Sequence, residues 1–154
     1  MAETGTRPRA HRGDIMSAAT RSAVMSRIRG RDTGPELRLA KAMEELGCQW
    51  ETHCRDLPGR PDFALRDERI AIFVDGDFWH GWRFPQWRHK LSEKWEKKIQ
   101  ATRDRDRRNH KKLRRLGWIV VRIWEHQLER DPARCVERIQ QARTRRADQQ
   151  HQSE

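Results

Sequence analysis

Ile70-Ala-Ile-Phe-Val74 is an unbroken apolar run in a chain of 154 residues, 37% of which are charged. A strand with one wet face alternates apolar and polar residues, whereas a run that is apolar throughout needs cover on both faces. The run therefore predicts a central strand with layers above and below it. The 34% hydrophobic content, including seven Trp and four Phe, is enough for one modest core.

The neighbouring segments predict the rest of those layers. Gln49 to Cys54, Pro61 to Leu65 and Arg69 to Asp75 are rich in aromatic and β-branched residues and separated by Pro-Gly or charged turns, as strands require. Trp118-Ile-Val-Val-Arg-Ile-Trp124 predicts a fourth strand. Leu37, Ala40, Met43 and Leu46 fall at helical spacing between Thr33-Gly-Pro-Glu36 and Gly47, the pattern of a capped amphipathic helix. A shorter helix is expected around residues 22–29. A charged helix from about Leu91 to Leu116, stopped by Gly117, and a last helix from Pro132 to Arg143 complete an α/β domain with a mixed sheet. The domain is expected over residues 19–143. Residues 1–18 and 144–154, which lack apolar periodicity, read as polar tails.

Thirty-four Lys and Arg against 23 Asp and Glu leave a formal charge of +11, which favours a polyanionic partner and points first to nucleic acid. No run approaches the roughly 20 apolar residues that span a bilayer. The polar N-terminus has no signal-peptide core, so a cytoplasmic protein without a membrane partner is expected. Cys48, Cys54 and Cys135 are odd in number and have no CxxC spacing, which argues against a disulfide framework or a cysteine zinc site.

The chemistry concentrates around the predicted central strand. In Leu57-Pro-Gly-Arg-Pro-Asp-Phe63, one carboxylate follows a tight turn and a proline at the start of a strand. Asp62 would thus be held on rigid backbone at a sheet end, where a hard cation such as Mg²⁺ takes carboxylates, waters and phosphate oxygens. A turn-capping Asp is the bland alternative. The central strand then runs into Asp75-Gly-Asp77 and Phe78-Trp-His80, so acids and a histidine gather where it exits. Asp75 reads as a second metal-facing carboxylate or as a solvated turn residue.

Four segments, PGRPDF, IFVDGDFWHG, RDRDRRN and LGWIVVRIWE, resemble in order and spacing the very short patch repair (Vsr) endonuclease family. The resemblance covers roughly Ala19 to Arg143. It implies the three-layer, restriction-endonuclease-like PD-(D/E)xK fold, with a mixed central sheet flanked by helices. It further implies that Asp62 and the main-chain carbonyl of Val74 bind catalytic Mg²⁺ ions, and that His80 is the catalytic histidine, an imidazole able to take a proton from water near neutral pH. Glu36 matches a glutamate of the family's site, although Thr33-x-x-Glu36 is also a capping box. Asp75 and Asp77 stand where the family's repair prototype has histidine and cysteine.

In the same family, aromatics matching Phe78, Trp79 and Trp95 wedge into the base stack, and a wedge opens most easily at a weakly paired step. Trp82 and Phe84 read as packing. The family's structural zinc has four ligands, and the matching positions here are Trp82, Phe84, Asp106 and His126. Two of these are apolar, so the resemblance implies a plug in place of the zinc, with Asp106 and His126 as remnants. Ile99, Asp106, His110, Leu113 and Leu116 share one helical stripe, so Asp106 is read as facing inward; a polar link among Asp106, His110 and His126 would satisfy it, with a reduced zinc site on the same three groups as the alternative. Arg21, Arg27, Arg29 and Arg31 are the candidate DNA-backbone contacts.

The sequence is thus expected to encode a monomeric, Mg²⁺-dependent endonuclease that nicks one strand of duplex DNA beside a mispair. Mismatch-repair proteins or a DNA cytosine methyltransferase are its expected associates. A nuclease of the same fold acting on modified or foreign DNA, and a non-catalytic DNA-binding module, are the alternatives.

Overall fold

A computed structural model of the chain describes residues 34–153. The expected short helix at 22–29, Thr33 and Arg21, Arg27, Arg29 and Arg31 lie outside the described residues.

Helix α1 (Gly34–Met43), continued by a 3₁₀ turn (Glu44–Leu46), leads into β1 (Glu51–Thr52), β2 (Phe63–Leu65) and β3 (Ile70–Asp75). A short helix α2 (Phe84–Trp87) and the long α3 (Glu93–Arg115) follow. The chain then forms β4 (Ile119–Trp124), α4 (Glu125–Arg130) and α5 (Pro132–Gln152). The four strands form one sheet in the order β1-β2-β3-β4, with the first two pairings antiparallel and β3 parallel to β4. This is the layered α/β architecture with a mixed sheet that the sequence predicts.

Every residue of β3 is buried, and its two faces meet different layers. Ile70, Ile72 and Val74 join Val121 and Ile123 of β4 in the main core, against Leu39 and Met43 of α1, Leu128 of α4 and Ile139 and Ala142 of α5. Ala71 and Phe73 point the other way, with Val120, onto Leu113 of α3. By the twofold period of a strand, Asp75 belongs to this second, α3-facing side.

Several boundaries differ from those read off the sequence. The first strand pairs over only two residues, because His53 turns into the left-handed region at φ 55° and Pro61 opposite has no N–H to give the ladder. In α1 the inward stripe is Glu36, Leu39 and Met43, while Leu37 is 56% exposed. The helix is rotated so that its buried face carries a carboxylate toward the sheet end. In α3 the inward stripe is Ile99, Asp106, His110 and Leu113, and Ser92 caps the start by accepting from the Trp95 N–H. Leu116 lies past the helix end and is exposed.

The last helix does not stop at Arg143. It continues to Gln152, tied down by Arg143 bonding Glu68 and by Arg146 donating to the carbonyls of Glu68 and Gly117. No described helix is long and apolar enough to cross a membrane.

Candidate active site

Because β2 runs antiparallel to β3, its start lies beside the carboxyl end of β3, and the turn before β2 delivers Asp62 there. Asp62 Oδ2 accepts the Val74 N–H at 2.7 Å, which fixes the carboxyl against the central strand. The inward face of α1 brings Glu36, itself buried, to the same place. Glu36 hydrogen-bonds Asp62 side chain to side chain. Loss of solvent and the adjacent Glu36 charge push the Asp62 carboxyl well above the usual carboxylate range, against the opposing pull of the Val74 N–H. Asp75 adds to the push.

Two carboxyl groups brought together in this way could hold a hard divalent ion, whose charge offsets the repulsion between them. Thr33, the partner in the capping reading of Glu36, lies outside the described residues.

A second constellation sits on the α3-facing side of the sheet. His80 Nδ1 lies 2.7 Å from Asp106 Oδ2, and its Nε2 lies 3.5 Å from Asp75 Oδ1. Asp75, His80 and Asp106 are close enough to one another to offer three ligand atoms to a metal ion. Arg122 of β4, however, already donates from Nε to Asp75 Oδ2 at 2.6 Å and from Nη2 to Asp106 Oδ2 at 2.8 Å. The guanidinium also packs over the Trp124 ring, 4.2 Å from its centroid. Burial alone would raise the Asp106 carboxyl, but the His80 hydrogen bond and the charges of His80 and Arg122 outweigh it and hold the group below its ordinary value. An ionised Asp106 needs a donor, which an Nδ1–H of His80 would supply.

Asp106 therefore stands with the histidine and not with the positions matched to zinc, which corrects the sequence-based assignment. The expected link among Asp106, His110 and His126 is not made either. His126 Nδ1 pairs with Asp77 Oδ1 at 2.7 Å, with the Trp82 ring 4.6 Å from its own, while His110 packs on Phe73. Phe84 is fully buried and Trp82 lies against Trp124.

The turn from Asp77 to His80 carries Phe78 and Trp79, and the first turn of α3 carries Trp95 beside them. Phe78, Trp79 and Trp95 are 43%, 45% and 38% exposed. They form one patch, with Phe78 and Trp79 centroids 5.3 Å apart and Trp79 and Trp95 5.4 Å apart. Lys98 lies 5.3 Å over the Trp95 ring. Phe78 and Trp79 immediately precede His80, which lines the acidic cavity.

That cavity, about 530 Å³, is lined by Glu36, Asp62, Asp75, His80 and Asp106, and also by Arg60 and Arg105. Arg122 and Arg60 had not been singled out. The one available signal for Arg122 was a charged residue inside an otherwise apolar strand pattern.

The model of the DNA mismatch endonuclease Vsr family matches residues 13–86. A type II nicking enzyme of Neisseria meningitidis serogroup C is 33% identical over 132 residues, covering 84% of this chain and 89% of that protein. The DNA mismatch endonuclease Vsr of Escherichia coli is 39% identical over 117 residues, 73% of each. A type II nicking enzyme of Xanthomonas oryzae is 34% identical over 117 residues, 75% of this chain and 86% of that one.

Proposed function

The chain belongs to the Vsr family of DNA mismatch endonucleases, and on that premise we propose that it is a Mg²⁺-dependent endonuclease that nicks one strand of duplex DNA beside a mispaired base. The observation that carries this reading is His80, oriented by Asp106 at the wall of a cavity that also holds the Glu36–Asp62 carboxyl pair.

Asp62 and Glu36, with the main-chain carbonyl of Val74, are the residues to hold Mg²⁺. Asp75 has Oδ2 committed to Arg122 and contributes through Oδ1. Bound there, the ion supplies positive charge against the negative charge that develops on the phosphate.

The remaining steps belong to side chains. Nε2 of His80 takes a proton from water as its oxygen bonds to phosphorus. The P–O3′ bond breaks in line, leaving a 5′-phosphate, and the departing 3′ oxygen gains a proton from solvent. Asp106 accepts from Nδ1 throughout and balances the imidazolium, so the ring keeps one tautomer and one direction. Arg122 offsets the two carboxylates that flank the ring.

The exposed Phe78-Trp79-Trp95 patch supports the mispair preference, since inserting rings between base pairs costs least where pairing is already weak. The relatives that nick DNA and the one named for mismatches support the same reading.

Asp62→Ala tests the site. Mg²⁺-dependent nicking of a mispaired duplex is expected to fall below detection while duplex binding in EDTA is retained. Nicking by that variant at the wild-type rate would remove Asp62 from the mechanism.

A further inference from the structure

The turn that delivers Asp62 carries a residue held against its backbone preference. Leu57 to Arg60 close tightly, with the Arg60 N–H donating to the Leu57 carbonyl at 3.0 Å. Gly59 sits at φ +77°, and a Cβ there would stand 3.0 Å from Cβ of Asn109 and 3.2 Å from Phe73, so the turn is clamped on α3. Arg60 follows at φ 51°, in the left-handed region that glycine takes freely and other residues take at a cost. Buried Pro61 then fixes the chain into Asp62.

Nothing within the described fold rewards an arginine in this strained position. The Arg60 side chain is exposed and makes no hydrogen bond, ion pair or ring contact among the described residues. It lines the same cavity as Asp62, Asp75 and His80, as does Arg105 of α3, which is likewise exposed and without a partner among the described residues. Strain of this kind collects at ligand clamps.

The cavity also has a charge problem to solve. Its walls hold the carboxyl groups of Glu36, Asp62, Asp75 and Asp106, and Arg122 is already engaged by two of them. An incoming phosphodiester is an anion and needs donors that the carboxylates have not taken. A guanidinium offers a planar fork matched to two phosphate oxygens.

We infer that Arg60 grips the non-bridging oxygens of the phosphodiester to be cut and sets its phosphorus against His80, with Arg105 closing from the α3 side. This rests on the endonuclease reading above and adds a substrate-positioning residue to it. The left-handed turn aims the side chain, and its strain is retained for that purpose.

The test uses the full chain and its Arg60→Gly and Arg60→Lys variants on a mispaired duplex with Mg²⁺, together with thermal unfolding and duplex binding in EDTA. Arg60→Gly is expected to lose on the order of 100-fold in kcat while its Tm stays level or rises by roughly 3 °C. Its overall duplex affinity should stay within about threefold, since most phosphate contacts lie elsewhere. Arg60→Lys should recover part of the rate but not all, because it restores charge without the fork. Wild-type kcat and KM in Arg60→Gly, or a joint fall of rate and Tm, would overturn the inference. A wild-type chain that nicks no duplex would instead overturn the endonuclease reading, and this inference with it.

Discussion

Nδ1 of His80 sits 2.7 Å from Oδ2 of Asp106, an oxygen that also accepts from Nη2 of Arg122 at 2.8 Å. The residue that aims the imidazole is therefore itself aimed by a strand arginine. Asp106→Asn keeps the shape but offers the ring a group that can also donate, so the basic nitrogen can turn the wrong way. Single-turnover nicking is expected to slow by about 10³-fold or more, with duplex binding unchanged. A slowing of less than about threefold would mean that Asp106 does not orient the base.

Asp62 gives a prediction with the opposite sign for stability. Its folded pKa is raised, so its ionised form is the costly one in the fold. That cost is absent below about pH 3.8 and grows as pH rises through the folded value. Asp62→Asn removes the charge, and in EDTA at neutral pH its Tm should exceed that of the wild type by roughly 3 °C. Added Mg²⁺ should raise the wild-type Tm more at pH 8 than at pH 5, because the ion displaces a proton. The variant should lose that response. A lower Tm for Asp62→Asn in EDTA would contradict the carboxyl-pair account.

Arg122 bridges two buried carboxylates, and removing it strands both. Arg122→Met is expected to cost about 3 kcal/mol in urea unfolding. Pairing it with Asp75→Asn should recover part of that loss, a coupling that a double-mutant cycle reads directly. Additive effects of the two changes would show the contact to be without energetic weight.

The aromatic patch should separate specificity from stability. Phe78 and Trp79 are half-exposed, so Phe78→Ala or Trp79→Ala should change stability by less than about 1 kcal/mol. Each should nonetheless reduce the preference for mispaired over paired duplex by about tenfold. Phe84→Ala, in the buried plug, should show the reverse pattern, losing about 3–5 kcal/mol of stability. Equal loss of discrimination in all three variants would make the wedge assignment wrong.

The apolar run at Ile70 to Val74 made the covered central strand legible, because burial on both faces leaves a direct mark on composition. The carboxylate at Asp62, the histidine and the exposed aromatics were legible too, since each breaks the pattern around it. Glu36 was ambiguous because a helix cap and an inward carboxylate share one spacing, and spacing does not give the rotation of α1. Asp106 was placed on the correct face of its helix but with the wrong partners. The helical period says which way a side chain points and nothing about what crosses from another element to meet it. Arg122 and Arg60 were missed for related reasons, one hidden in a strand pattern and one in a turn whose left-handed geometry no composition rule requires of arginine.

Mispair-directed nicking is read out by a panel of otherwise identical duplexes, each carrying one mispair or full pairing, incubated with the full chain in Mg²⁺ and in EDTA. A single-strand nick with a 5′-phosphate is expected beside at least one mispair, with far slower cleavage of the paired duplex and none in EDTA. Equal cleavage of every duplex, or cleavage that persists in EDTA, would contradict it.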